Sequence, residues 1–211
     1  MGPNDNNNLI IAYEGNYGYS EDEGLIIAPI GRDALVFLVN AANPIDDITE
    51  EQIIAIYRGE ITNWSQLGGD DGEIIPYQRN YSSGSQTMFR KLVVGAAELA
   101  EPPGELVHTE MGSLYLAIAD YNNGSRAIGY NVFYYVTQMK SDINVKILSV
   151  NGVTPSSETI ASGEYPYCND FFAAIRADTP VDSATYAVFT WLQGEQARDL
   201  MLHEHYVPLL P

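Results

Sequence analysis

Ala34-Leu35-Val36-Phe37-Leu38-Val39-Asn40, followed by Thr49-Glu50-Glu51-Gln52-Ile53-Ile54-Ala55-Ile56-Tyr57-Arg58-Gly59, is the stretch from which the fold is read. The first segment is almost continuously apolar and rich in branched side chains, the pattern of a strand buried on both faces of an α/β sheet. In the second, Thr49 and Gln52 have the spacing of a capping box, Ile53, Ile54, Ile56 and Tyr57 form the apolar face, and Gly59 ends the helix. Working outward, Leu9–Tyr13 and Leu25–Ile30 read as strands upstream, with Gly31 separating the latter from Ala34–Asn40. Downstream, Glu73–Gln78, Ala127–Tyr135 and Val145–Val150 read as strands, and Tyr165–Ile175 contains another. Helices are expected from Ser82 or Ser83 through a stripe of Met88, Phe89, Leu92 and Val93, near 111–120, and as one or two helices over 181–202. Strands alternating with helices predict an α/β fold. The chain shows no internal repeat and no low-complexity linker.

The chain has 211 residues, of which 45% are hydrophobic, enough to fill a core of one domain or two small lobes. Ten Lys and Arg against 28 Asp and Glu leave a formal charge of −18, which opposes nucleic acid and anionic membrane as partners. The lone cysteine, Cys168, allows no internal disulfide, and no Cys/His cluster offers a metal site. No apolar run reaches the ~18–20 residues that span a bilayer. His108, His203 and His205 are scattered and read as surface residues. Asp70-Asp71-Gly72 lacks the remaining spacing of a calcium loop and reads as a turn.

Chemistry concentrates in Gln78-Arg79-Asn80-Tyr81-Ser82-Ser83-Gly84-Ser85-Gln86-Thr87. A strand delivers an arginine, and hydroxyls with a glycine open a helix whose first N–H groups lack intrahelical acceptors. Arg79 can clamp two oxygens with its planar fork, Ser83 and Ser85 can donate O–H bonds, and Gly84 admits close approach of a bound group. These parts suit a tetrahedral oxyanion. An ordinary N-cap beside a surface arginine satisfies the same spacing.

Several motifs in order resemble the phosphate ABC-transporter substrate-binding proteins. They are Pro29 to Asn40 with Asn43-Pro44, Ile48 to Trp64, and the anion loop of Arg79, Ser83, Gly84 and Ser85. Ala127-Ile128-Gly129-Tyr130, Asn151-Gly152-Val153 with Pro155, Tyr165-Pro166 and His205 to Leu209 extend the likeness from about residue 9 to the C-terminus. The resemblance implies a two-lobed, periplasmic-binding-protein-like α/β fold with two crossover strands, Ala34–Asn40 and Asn169–Ile175. Lobe one would combine 1–40 with 168–211, and lobe two would be 41–167. It implies a non-enzymatic receptor that closes around inorganic phosphate in an interlobe cleft and delivers it to an ABC permease, with no cofactor and no metal. It further implies an extracytoplasmic location, with a membrane anchor in the full-length protein.

By the same alignment Glu14, closing Ile10-Ile11-Ala12-Tyr13-Glu14, stands where the family places an acidic residue at a strand end. A carboxylate there accepts a hydrogen bond from a protonated phosphate oxygen and repels sulfate, which has no proton to offer. A solvated glutamate beside a turn is the alternative for Glu14. The family begins with a further strand, loop and helix in lobe one, whereas only 1–8 precede Leu9, so lobe one is expected to be incomplete. Its exposed sheet edge could then pair between molecules. A binding-protein-like module serving protein interaction or sensing, without phosphate transport, is the competing expectation. A serine hydrolase or phosphatase lacks a base, a metal-ligand set or a second nucleophile.

Overall fold

The structure is a computed structural model that describes residues 9–13, 24–95, 99–100, 102, 104–120, 125–139 and 144–209. In chain order the main elements are β1 (Ile10–Tyr13), β2 (Leu25–Asn40), β3 (Asp47–Ile48), α1 (Glu50–Tyr57), β4 (Ile75–Pro76), β5 (Gln78–Arg79), α2 (Gly84–Met88), β6 (Val107–His108), α3 (Met111–Ala119), β7 (Ala127–Val132), β8 (Val145–Ile147), β9 (Ser149–Val150), α4 (Ser157–Ala161), β10 (Cys168–Arg176), α5 (Ala184–Trp191), α6 (Glu195–His203) and β11 (Val207–Pro208). The chain forms two compact units, one of 1–33 with 169–211 and the other of 34–168.

In the second unit, Ala34 through Val39 are fully buried. Each of the larger aliphatic and aromatic side chains in that run contributes about 1.5–3 kcal/mol by leaving water. The strand is flanked by two antiparallel neighbours, β7 (Leu35 opposite Val132 through Val39 opposite Ile128) and β8 (Leu38 opposite Ile147). β4 adds in parallel to β7, β3 pairs in parallel with β9, and β5 pairs in parallel with β6. Phe37, Tyr57, Phe89 and Tyr130 form one aromatic cluster, with Phe89 and Tyr130 stacked at 4.3 Å and Phe37 edge-on to both. Gly129 lets α3 lie close on β7, since a Cβ there would come within 2.8 Å of Ile118 and 2.9 Å of Leu114. The expected capping box is present in full: Thr49 Oγ1 accepts from the Gln52 N–H, and Gln52 Oε1 accepts from the Thr49 N–H. Gly59, at φ 73°, follows the end of α1 in the left-handed region that favours glycine.

In the first unit, β1 runs antiparallel to β10, from Ile10 opposite Ala174 to Tyr13 opposite Phe171. β10 lies beside β2, and β11 pairs with β2 at Arg32 and Gly31. Ala28, Ile30, Ala173, Ile175 and Phe189 form its core, with Tyr186, Leu192 and Met201 of the helical segment packed against it. Arg32 donates two hydrogen bonds to the Asp170 carboxylate, at 2.5 and 3.3 Å.

Five expectations about element boundaries are corrected, one of them Val145–Val150, which divides into β8, paired with β2, and β9, paired with β3. Leu25–Ile30 and Ala34–Asn40 are one strand, because Gly31-Arg32-Asp33 stays extended: Gly31 makes room for the Phe171 ring, and Arg32 is tied to β10 through Asp170. The strand expected over Glu73–Gln78 instead divides into β4 and β5, which take different partners, β7 and β6. β7 stops at Val132, where the chain turns helical and Thr137 Oγ1 donates back to the Phe133 carbonyl four residues earlier. After Met88 the helix widens into a π-type turn over Phe89–Val94, which buries Val94 and leaves Leu92 only half-buried. The one or two helices expected over 181–202 are two, at 184–191 and 195–203.

Candidate functional site

Arg79 ends β5, and the parallel register places it beside His108 of β6. The two strands lend it acceptors: Nε donates to the His108 carbonyl at 3.1 Å and Nη2 to the Thr109 carbonyl at 3.1 Å. Nη1 reaches Ser85 Oγ at a longer 3.4 Å. Arg79 is thus not a surface arginine; it is 7% exposed. Burial draws its pKa down, while Tyr130, Tyr135 and Glu110 act the other way. A guanidinium so placed stays charged, because its ordinary pKa is far above neutrality. Of its five N–H groups, three have protein acceptors among the described residues. The result is a cation of fixed orientation with donors in reserve.

The loop from Asn80 to Ser83 closes on itself, with the Ser83 N–H donating to the Asn80 carbonyl and Asn80 Nδ2 to Ser82 Oγ. Ser83 is the N-cap: its Oγ accepts from the Gln86 N–H at 3.1 Å, leaving its own O–H as a donor. Ser85 is buried, Ser83 half-buried and Gly84 exposed. Arg79, Ser83, Gly84 and Ser85 are therefore brought together as expected from their spacing. Glu14 lies outside the described residues.

His108 corrects another expectation. Its ring is part-buried, meets Tyr77 edge-on at 4.9 Å and places Nδ1 3.2 Å from Ser113 Oγ. Ser113 donates its own proton to the Glu110 carbonyl, which assigns the ring proton to Nδ1. Nε2 is then a buried acceptor without a partner among the described residues. Burial first, and the Arg79 charge second, lower the His108 pKa. His203 and His205 are exposed, as expected. Among the described residues no group of three His, Cys, Asp or Glu is placed to hold a metal, and no helix is long and apolar enough to cross a membrane.

Sequence reasoning missed what lies beneath the loop. The Arg79 N–H donates to the Tyr130 hydroxyl at 3.2 Å, that hydroxyl donates to Gln86 Oε1, and Gln86 Nε2 donates to Gln78 Oε1 at 3.3 Å. All four residues are buried. The only sequence signal was a pair of glutamines, Gln78 and Gln86, one on each side of the loop.

Residues 13–195 match the family described as a PBP superfamily domain, and the chain belongs to that superfamily. Its α/β, periplasmic-binding-protein-like fold is the one expected from the sequence. Among individual proteins, it is similar to the phosphate-binding protein PstS of Bacillus subtilis, with 36% identity over 136 residues. That alignment covers 63% of this chain and 42% of the relative, so the chain matches less than half the relative's length. The crystal structure of an ABC-type phosphate transport receptor from Vibrio cholerae superposes with a TM-score of 0.76 at 26% identity, covering 96% of this chain and 80% of that one. A phosphate ABC transporter substrate-binding protein with bound phosphate, from Clostridium perfringens, superposes at 0.75 with 25% identity, covering 96% and 79%.

Proposed function

We propose that this chain is a solute receptor that binds inorganic phosphate and hands it to an ABC permease outside the cytoplasm. The observation that carries this reading is the Arg79 guanidinium, clamped by the His108 and Thr109 carbonyls and facing Ser85, in a chain whose relatives are named as phosphate-binding proteins. A cation held in place before the ligand arrives loses little freedom on binding, and its remaining donors match phosphate oxygens. Ser83 and Ser85 supply hydroxyl donors, and Gly84 leaves the loop open to close approach. Glu14 is the group proposed to accept the proton of the bound phosphate. The two compact units are read as the two lobes of such a receptor. A net charge of −18 slows capture of an anion, while affinity is decided by the local donors.

The surroundings of the two serines support a receptor reading over a hydrolase reading. Ser83 Oγ faces a backbone N–H, Ser85 Oγ faces a guanidinium, and the His108 ring is directed to Ser113. Titration calorimetry with phosphate tests the reading, with sulfate as competitor. Saturable phosphate binding that excess sulfate leaves intact supports it. No heat with phosphate refutes it, and would favour a module that serves interaction or sensing.

A further inference from the structure

Resting on that phosphate reading, we propose that Tyr130, acting through Gln86, is the positioning residue that sets the spacing between Arg79 and the Ser83-Gly84-Ser85 loop. The Tyr130 hydroxyl stands between the two elements that carry the donors. It accepts the backbone N–H of Arg79, on β5, and donates to the side chain of Gln86, in the first turn of α2. Gln86 then ties in two directions: its backbone N–H donates to Ser83 Oγ at 3.1 Å, and its Nε2 donates to Gln78 Oε1 at 3.3 Å. Because Gln78 precedes Arg79, the bonds close a ring from β5 to α2 and back.

The directions in the ring follow from the Tyr130 hydroxyl. A backbone N–H can only donate, so the Tyr130 oxygen accepts from Arg79, and its single buried proton is satisfied by the Gln86 amide oxygen. That fixes the Gln86 amide with its oxygen toward Tyr130 and its NH2 toward Gln78. The hydroxyl itself cannot drift, since the phenol ring is fully buried, stacked on Phe89 at 4.3 Å, and edge-on to Phe37 and Tyr57 at 6.2 and 5.9 Å. A wrong hydroxyl position in so closely packed a cluster would be resisted by every neighbouring ring. Tyr130 therefore ties the loop to the rigid aromatic core, in addition to the bond from the Asn80 N–H to the His108 carbonyl. None of these groups needs to touch the anion to govern its affinity.

Tyr130→Phe removes the hydroxyl and keeps the ring. The Arg79 N–H and the Gln86 carbonyl then lose a shared buried partner, and the first turn of α2 is released from β5. Gln86→Met opens the same ring from the other side. Tyr165→Phe is the control, because it too deletes a buried hydroxyl in the same unit, one that donates to the Leu35 carbonyl of β2 at 3.2 Å and is remote in sequence from β5 and α2.

The experiment measures phosphate affinity by calorimetry and thermal stability for wild type, Tyr130→Phe, Gln86→Met, the double variant and Tyr165→Phe. The expected result is a loss of about tenfold or more in phosphate affinity for each of the first two. The double variant should be no weaker than the worse single one, since both cut one ring. Tyr165→Phe should stay within about twofold despite a similar fall in melting temperature. If Tyr130→Phe and Gln86→Met bind like Tyr165→Phe, Tyr130 is core packing only and the proposal is overturned while the phosphate reading stands. If wild type binds no phosphate, the phosphate reading itself falls and the proposal with it. Should Tyr130→Phe fail to fold, Gln86→Met against Tyr165→Phe decides the matter alone.

Discussion

Replacing Arg79 separates two contributions of one side chain, its anchoring of the β5–β6 region and its proposed hold on phosphate, and they can be sized. The guanidinium makes two well-formed bonds to the His108 and Thr109 carbonyls and one long contact to Ser85. Charge-assisted hydrogen bonds contribute about 1.5–3 kcal/mol each when intact. Both carbonyls are part-buried and can be rewetted, so the lower end applies, and Arg79→Met should cost about 2–3 kcal/mol of stability. On the proposed phosphate reading, the two guanidinium N–H groups without acceptors among the described residues serve the ligand. Losing two such bonds to a dianion costs about 3–6 kcal/mol, or about 10²- to 10⁴-fold in the dissociation constant. Arg79→Lys keeps the charge but not the fork: of an ammonium's three donors, two carbonyls would leave one for the anion, where the guanidinium leaves two in fixed geometry. It should bind about 10- to 100-fold more weakly than wild type and recover only part of the stability. Urea unfolding measures the first quantity and phosphate calorimetry the second. Arg79→Lys binding within about twofold of wild type would refute the clamped-fork geometry. Stability of Arg79→Met within about 0.5 kcal/mol of wild type would refute the burial and anchoring of the side chain.

Other consequences are checked by unfolding. His108 has a folded pKa below its unfolded value, so the unfolded chain takes up its proton first as pH falls. Its contribution is therefore complete above about pH 6.5 and is lost as pH drops through the folded pKa. The stability advantage of wild type over His108→Gln should shrink between pH 7.5 and pH 5, and a constant difference would contradict the assignment. Thr49→Ala removes one half of the capping box on α1 and should cost about 1 kcal/mol in urea unfolding; an unchanged midpoint would mean that the cap contributes nothing. A Cβ at Gly31 would lie 2.2 Å from Cζ of Phe171, so Gly31→Ala should cost about 1–3 kcal/mol. Much of that should return in the double variant with Phe171→Leu, and strictly additive effects would show that the ring is not the obstacle.

What was legible in the sequence is what local chemistry decides. Thr49 and Gln52 satisfy each other across three residues, Ser83 caps the turn that it begins, and Ala34–Val39 has no polar side chain to show water. What was not legible depends on segments far along the chain. Gly31 reads as a break until Phe171, 140 positions later in sequence, is laid over it; only then does an unbroken strand with no side chain at that point make sense. The same holds at the candidate site. From its spacing Arg79 is equally an anion clamp and a surface residue beside a cap, because the types and order of residues are identical in both. The difference is made by two backbone carbonyls of β6 and its following residue, about thirty positions away, which consume donors and bury the fork. Tyr130, 44 positions from Gln86, then fixes the loop from below. Donor types are written locally, but whether they are pre-aimed is written by long-range pairing. The position of the β5–β6 ladder therefore carries more functional information than the anion-loop motif it supports, and substitutions that shift this ladder should weaken phosphate binding even where every motif residue is retained.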